Sequence, residues 1–152
     1  MTWQTMSASS EETERIAEYI GTRLHGGEVI ELSSDLGGGK TTFTRGLVRG
    51  TGSQSVVASP TFTISKVYDA PNFEIHHFDF YRLGDPGIML TELAELLGDR
   101  QTVVVVEWAD SVAHVLPDAR LSVQIAQQPD GSRNITMSYP EQFRYLTEGL
   151  VS

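Results

Sequence analysis

The chain has 152 residues, 39 % of them hydrophobic, with 20 acidic against 11 basic side chains and a formal charge of −9. That length suits a single domain spanning 1–152 around one core, and the charge excludes a uniformly basic nucleic-acid groove, because phosphate binding draws its affinity from Lys and Arg. No cysteine is present, which excludes a disulfide scaffold and thiolate metal sites and suits a reducing, cytoplasmic compartment.

Met1-Thr2-Trp3-Gln4 has neither the charged start nor the apolar core of a secretion signal, and the longest strictly apolar run, 103–106, is far too short to cross a bilayer. Ser9-Ser10-Glu11-Glu12 forms a capping box, with Ser9 as N-cap and Glu12 at the third helical position. Ile16, Ala17, Ile20 and Leu24 then recur at helical spacing, so an amphipathic helix is expected to about Leu24, stopped by Gly26-Gly27. Val29-Ile30-Glu31-Leu32 reads as a strand broken by Leu36-Gly37-Gly38-Gly39, and a helix is expected over 40–49, ended by Gly50 and Gly52.

Residues 73–81 are rich in aromatic and β-forming side chains and read as a strand. Gly84-Asp85-Pro86-Gly87 marks a turn, and Leu90, Leu93 and Leu97 give 89–97 helical spacing. Thr102-Val103-Val104-Val105-Val106 is an unalternating β-branched run, the pattern of a strand buried on both faces in a parallel sheet. Leu121, Val123 and Ile125 alternate before Pro129-Asp130-Gly131, and Ile135 and Met137 after it, as in an antiparallel hairpin. Strands alternating with helices and closed by this hairpin predict an α/β fold of three layers, α/β/α, with a mixed, mostly parallel sheet.

Ser34-Asp35-Leu36-Gly37-Gly38-Gly39-Lys40-Thr41-Thr42 resembles the Walker A pattern G-x-x-x-x-G-K-[ST], with Ser34 at the first glycine position. Glycines let successive backbone N–H groups turn inward around phosphate oxygens, and a helix starting at Lys40 aims its unpaired N–H groups and positive dipole end at the same anion. In that pattern Gly37, Gly38 and Gly39 shape the cradle, with Thr42 in the first turn. Lys40 reaches the β/γ-phosphates, and the Thr41 hydroxyl ligates Mg²⁺. With two lysines, 14 glycines and 28 serines and threonines, chance yields a Gly-Lys-Ser/Thr triplet only about 0.03 times per chain of this composition. A glycine-rich surface turn is the bland alternative.

Nucleotide chemistry also needs a carboxylate for the metal or the attacking water. Asp79 is an acid inside the aromatic strand Ile75-His76-His77-Phe78-Asp79-Phe80-Tyr81, and Glu107 follows directly on the valine run, at the carboxyl end of a buried strand where open α/β sheets bind ligands. Each could instead simply emerge into solvent. Ser59-Pro60-Thr61-Phe62-Thr63 is suited to close over Mg²⁺ and the γ-phosphate as a switch loop, the alternative being an ordinary polar turn leading into a strand. His76 and His77 lie on opposite strand faces and are not expected to share a metal. Trp108 reads equally as a core aromatic, and Glu11, Glu12, Glu14 and Glu18 as a solvated helix face.

Leu36-Gly37-Gly38-Gly39-Lys40-Thr41-Thr42-Phe43, Ser59-Pro60-Thr61-Phe62-Thr63, His77-Phe78-Asp79-Phe80-Tyr81-Arg82 and Val106-Glu107-Trp108 together resemble the TsaE (YjeE) family of small bacterial P-loop ATPases of tRNA threonylcarbamoyladenosine synthesis. The likeness runs from about Ser9 to the final hairpin. The family usually has Gly-Asp-Leu-Gly-Ala-Gly-Lys-Thr-Thr, so Ser34 and Gly38 depart from it. The resemblance implies a P-loop NTPase fold, ATP and Mg²⁺ as cofactors, and a metal held by Thr41 and Glu107. It also makes Asp79 and Trp108 residues on which activity depends, and places Thr13 and Arg133 near the nucleotide base. The implied partners are TsaB-like and TsaD-like proteins, which carry the transfer chemistry, so that tRNA is met only through the complex. ATP hydrolysis would support that complex's repeated turnover.

A P-loop small-molecule kinase and a catalytically silent nucleotide-binding adaptor are the competing classes. Nine scattered arginines give no cluster resembling a kinase lid, and no Asn-Lys-x-Asp motif supports guanine reading.

Overall fold

The computed structural model describes residues 1–35, 37–58, 65–81 and 87–152. Among them one seven-stranded sheet is ordered β1-β7-β6-β2-β5-β4-β3. The four inner strands β6 (Leu121–Gln127), β2 (Val29–Ser34), β5 (Thr102–Glu107) and β4 (Glu74–Asp79) run parallel to one another. The edges are antiparallel: β7 (Arg133–Ser138) returns against β6 and carries β1 (Thr2–Ser7), while β3 (Ser65–Asp69) pairs with β4. The expected mixed sheet and terminal hairpin are therefore present, with Ile125 opposite Ile135 and Val123 opposite Met137.

The sheet separates two apolar clusters. One face packs Ile30, Leu32, Val103, Val105 and the hairpin's Ile125 and Met137 against α1 (Ser10–Thr22) and α2 (Lys40–Gly50). On the other, Val29, Val104, Val106 and Phe78 meet Leu93 of α3 (Ile88–Leu96) and Val112 and Leu116, which close the two short 3₁₀ turns after β5. All six residues of β5 are buried, as an unalternating run between two layers requires.

Helix α1 begins as its sequence dictates. Ser9 Oγ accepts from the Glu12 N–H at 3.1 Å, and the Glu12 carboxylate accepts from the Ala8 N–H at 2.8 Å. Its far side departs from the expected solvated acidic face: Glu14 pairs with Arg45 at 2.9 Å and Arg49 at 3.3 Å, and Glu18 with Arg49 at 3.0 Å. These pairs sit on a contact close enough for backbones to touch. A Cβ on Gly46 would lie 2.2 Å from the Glu14 carbonyl oxygen, one on Gly50 2.2 Å from that of Glu18, and one on Gly21 2.1 Å from that of Leu47. Gly50 is thus part of α2, bare for packing reasons, and it is Gly52, at φ +88°, that turns the chain away.

Candidate functional site

The glycine loop lies where β2 ends, and the parallel register places the acids on the neighbouring strand ends. Leu32 of β2 is the Cα partner of Glu107, and Glu107 in turn is the partner of Asp79. Ser34, Glu107 and Asp79 therefore come from the carboxyl ends of three adjacent parallel strands, the edge at which such sheets bind ligands. Alternation along β4 and β5 puts Ile75, His77, Asp79, Val105 and Glu107 on one face, the face covered by α2.

The loop has the backbone its sequence demands. Gly37 and Gly39 hold φ of +75° and +109°, a region costly for residues with a Cβ. Gly39 is the N-cap of α2 and supplies no side-chain hydrogen bond. The first-turn N–H groups of this 11-residue helix thus have no side-chain cap competing with an anion. Thr41 and Thr42 are half-buried in that turn.

Lys40 is only 9 % exposed. Its Nζ donates to Ser34 Oγ at 3.2 Å and, at a long 3.4 Å, to the Ser34 carbonyl, and it lies 4.5 Å from the centroid of the Trp108 ring. That indole also meets Tyr81, at 4.8 Å between ring centroids. The sequence leaves Trp108 open between core and site; the structure brings it to the site.

Glu107 is 3 % exposed and His77 1 %. His77 Nε2 and Glu107 Oε2 are 2.6 Å apart, a diagonal contact, since His77 is the register partner of Val105. Sequence spacing gives His77 no metal shared with His76 and no other role. Its place is beside the carboxylate, and the only sequence signal is its two-residue spacing from Asp79, which puts both on one strand face. Its Nδ1 has no hydrogen-bond partner among the described residues. Asp79 accepts from the Tyr81 N–H at 2.9 Å. Burial pushes its carboxyl above the ordinary Asp value, and the Glu107 charge adds to this, while the Tyr81 N–H, His77 and Lys40 pull it down.

Arg133 joins the loop from the hairpin, its Nε donating to the Gly38 carbonyl at 3.2 Å and its Nη1 to that of Gly131 at 2.7 Å. Ser7 is its register partner on β1, and Ser7 Oγ is 2.6 Å from Thr13 Oγ1. Thr13 thus lies at the same end of the sheet but is 2 % exposed and bonded to Ser7. Thr61, with the rest of Ser59-Pro60-Thr61-Phe62-Thr63, lies outside the described residues, as do Leu36, Arg82 and the Gly84-Asp85-Pro86 part of the expected turn. Among the described residues no three His, Asp or Glu side chains converge as a self-sufficient metal site. Hydroxyl and carboxylate oxygens, such as those of Thr41 and Glu107, are ligand types that hard divalent cations take.

A family model described as "Threonylcarbamoyl adenosine biosynthesis protein TsaE" matches residues 7–135. A "tRNA threonylcarbamoyladenosine biosynthesis protein TsaE" of Bacillus subtilis is 39 % identical over 136 residues, covering 90 % of this chain and 84 % of its own. One of the same description from Haemophilus influenzae is 39 % identical over 114 residues, covering 72 % and 68 %. The crystal structure of Bacillus subtilis YdiB superposes with a TM-score of 0.81 at 32 % identity, over 97 % of this chain and 93 % of that one.

Proposed function

The chain belongs to the TsaE family, and from that premise we propose that it is a Mg²⁺-dependent ATPase of tRNA N6-threonylcarbamoyladenosine synthesis. That modification falls on the adenosine beside the anticodon, and the chain would act as the subunit that lets a TsaB-like and TsaD-like complex turn over. The observation that best supports the reading is that Lys40, bonded to Ser34 at the end of β2, also lies over Trp108, the residue directly after Glu107, so the glycine loop and the carboxyl end of β5 adjoin.

The roles follow from the chemistry of each group. Gly37, Gly38 and Gly39 with the open start of α2 cup the phosphates, and Lys40 balances their charge. Thr41 and Glu107 would hold Mg²⁺, which neutralises charge developing on the transferred phosphoryl group when bound. His77, bonded to Glu107 Oε2, fixes the carboxylate's orientation. Asp79, with its carboxyl held above the usual range, is the group suited to accept a proton from water beside Glu107. Arg133 steadies the loop through the Gly38 carbonyl.

With a charge of −9, the subunit is poorly suited to bind tRNA alone, and contact through the partner complex fits better. The cysteine-free chain suits the cytosol. Among the described residues no helix is long and apolar enough to cross a membrane.

The decisive experiment mixes the protein with TsaB-like and TsaD-like proteins, ATP, Mg²⁺, threonine-derived donor and unmodified tRNA, and follows phosphate release and modified nucleoside. Several rounds of modification that stop without this chain are expected. Phosphorylation of an acceptor from a nucleoside panel would instead assign a kinase, and modification that proceeds equally with a Glu107→Gln variant would assign a silent adaptor.

A further inference from the structure

Ser34 stands where the Walker A pattern has glycine, and Gly38 lies inside the same loop with no side chain. The backbone does not demand glycine at 38, since φ there lies outside the left-handed region that Gly37 and Gly39 occupy. Space does. A Cβ at 38 would fall 2.6 Å from Ser34 Oγ, 2.7 Å from Ser34 Cβ and 2.8 Å from the Asp35 carbonyl oxygen. Real Cβ atoms essentially never approach so closely, and the two nearest obstacles belong to Ser34. Ser34 is in turn fixed in that volume, its hydroxyl donating to the Asp35 carbonyl at 2.9 Å and accepting from Lys40 Nζ.

We infer that Ser34 and Gly38 are an interlocked pair: the Ser34 side chain fills most of the volume that a Cβ at 38 would need, so this loop does not hold side chains at both positions, and its phosphate affinity depends on that exclusion. Ser34 is thus an affinity-setting positioning residue. A second side chain would push the Gly38 segment, and with it the Arg133 contact to the Gly38 carbonyl, out of the shape that cups phosphate. The inference rests on the nucleotide reading above for its ligand, though the steric part concerns the loop itself.

The test is a four-cornered cycle of wild type, Ser34→Gly, Gly38→Ala and the double variant. Each corner is measured for Mg·ATP binding by calorimetry and for melting temperature. Gly38→Ala alone should weaken ATP binding by about tenfold, as overpacking of a tight site does. The same change made together with Ser34→Gly should recover most of that loss, the remainder reflecting the Asp35 carbonyl. Melting temperatures should follow the same order. Equal loss from Gly38→Ala on both backgrounds, in affinity or in melting, overturns the interlock. If the wild type itself binds no ATP, the nucleotide reading fails, and the melting cycle still decides the interlock. If Gly38→Ala does not fold, folding of the double variant supports the interlock, and its failure overturns it.

Discussion

Replacing Lys40 by methionine separates a lysine that binds phosphate from one that holds the fold together. The ammonium makes one hydrogen bond of 3.2 Å to Ser34 Oγ, a longer one to the Ser34 carbonyl, and a contact with the Trp108 ring. Such contacts from a charged donor contribute about 0.5–3 kcal/mol each, least for the long bond and the ring. Against them stands the cost of desolvating a charge only 9 % exposed, which Lys40→Met removes while keeping a stem of similar shape. The two sides nearly cancel. Stability should stay within about 1 kcal/mol, a shift in Tm of about 2–4 °C for a chain of this size. Phosphate offers no such cancellation, because charge-assisted bonds contribute about 1.5–3 kcal/mol each, so losing one or two weakens Mg·ATP binding about 100-fold. Calorimetry with Mg·ATP and a melting curve on the same sample read both. An affinity within about threefold of wild type, or a collapse of Tm without nucleotide, would refute the phosphate role.

Thr41→Ala should weaken ATP binding in Mg²⁺ and leave binding in excess chelator unchanged, because the hydroxyl is assigned to the metal; equal losses in both titrations would contradict this. Glu107→Gln keeps a bond to His77 but removes the charge, and partner-stimulated ATP turnover should fall at least about 100-fold, the equivalent of about 3 kcal/mol of charge stabilisation; turnover at the wild-type rate would count against it. Asp79→Asn should raise Tm at pH 7. Burial holds the Asp79 carboxyl above its ordinary value, so the unfolded chain ionises first and stability declines as pH rises from the ordinary Asp value through the raised one. The gain from asparagine should therefore shrink on acidification, and a gain that stays constant from about pH 3 to about pH 8 would show that charge is not its source. Gly46→Ala should cost about 1–3 kcal/mol by overpacking the α1–α2 contact, where its Cβ would fall 2.2 Å from the Glu14 carbonyl oxygen; an unchanged melting temperature would mean the helices can part without penalty.

What can be read from the sequence is whatever chemistry writes in contiguous residues. The glycine loop, its lysine and its threonine adjoin one another, as they must in any loop whose single turn of backbone is to surround one anion. Glu107 is legible because four valines name a buried strand and an acid at its end needs a reason. Partnerships across strands are not legible. His77 meets Glu107 only through the β4–β5 register, and Arg133 meets Gly38 only because β7 folds back beside the loop. Strand β1 escapes notice because its buried end residue is Ser7, satisfied by Thr13 and Ser9, with no apolar alternation to betray it. Gly50 reads as a helix stop because sequence shows a missing Cβ without showing which neighbour needs the space.

Trp108 shows how stability is traded for placement at this site. It is the one described residue other than glycine with positive φ, at +56°, a conformation that costs an L-residue about 1–2 kcal/mol. An unbroken β5 would send residue 108 to the sheet face opposite Glu107. The left-handed turn ends the strand and starts the 3₁₀ segment Ala109–Ser111, so that the indole packs on the cluster of that opposite face and yet also reaches Lys40. Propensity alone would put glycine or asparagine there. A buried carboxylate on one side of the bend and a strained aromatic over the lysine on the other both cost the fold, and both costs fall at the carboxyl edge of the parallel strands, where the proposed nucleotide site lies.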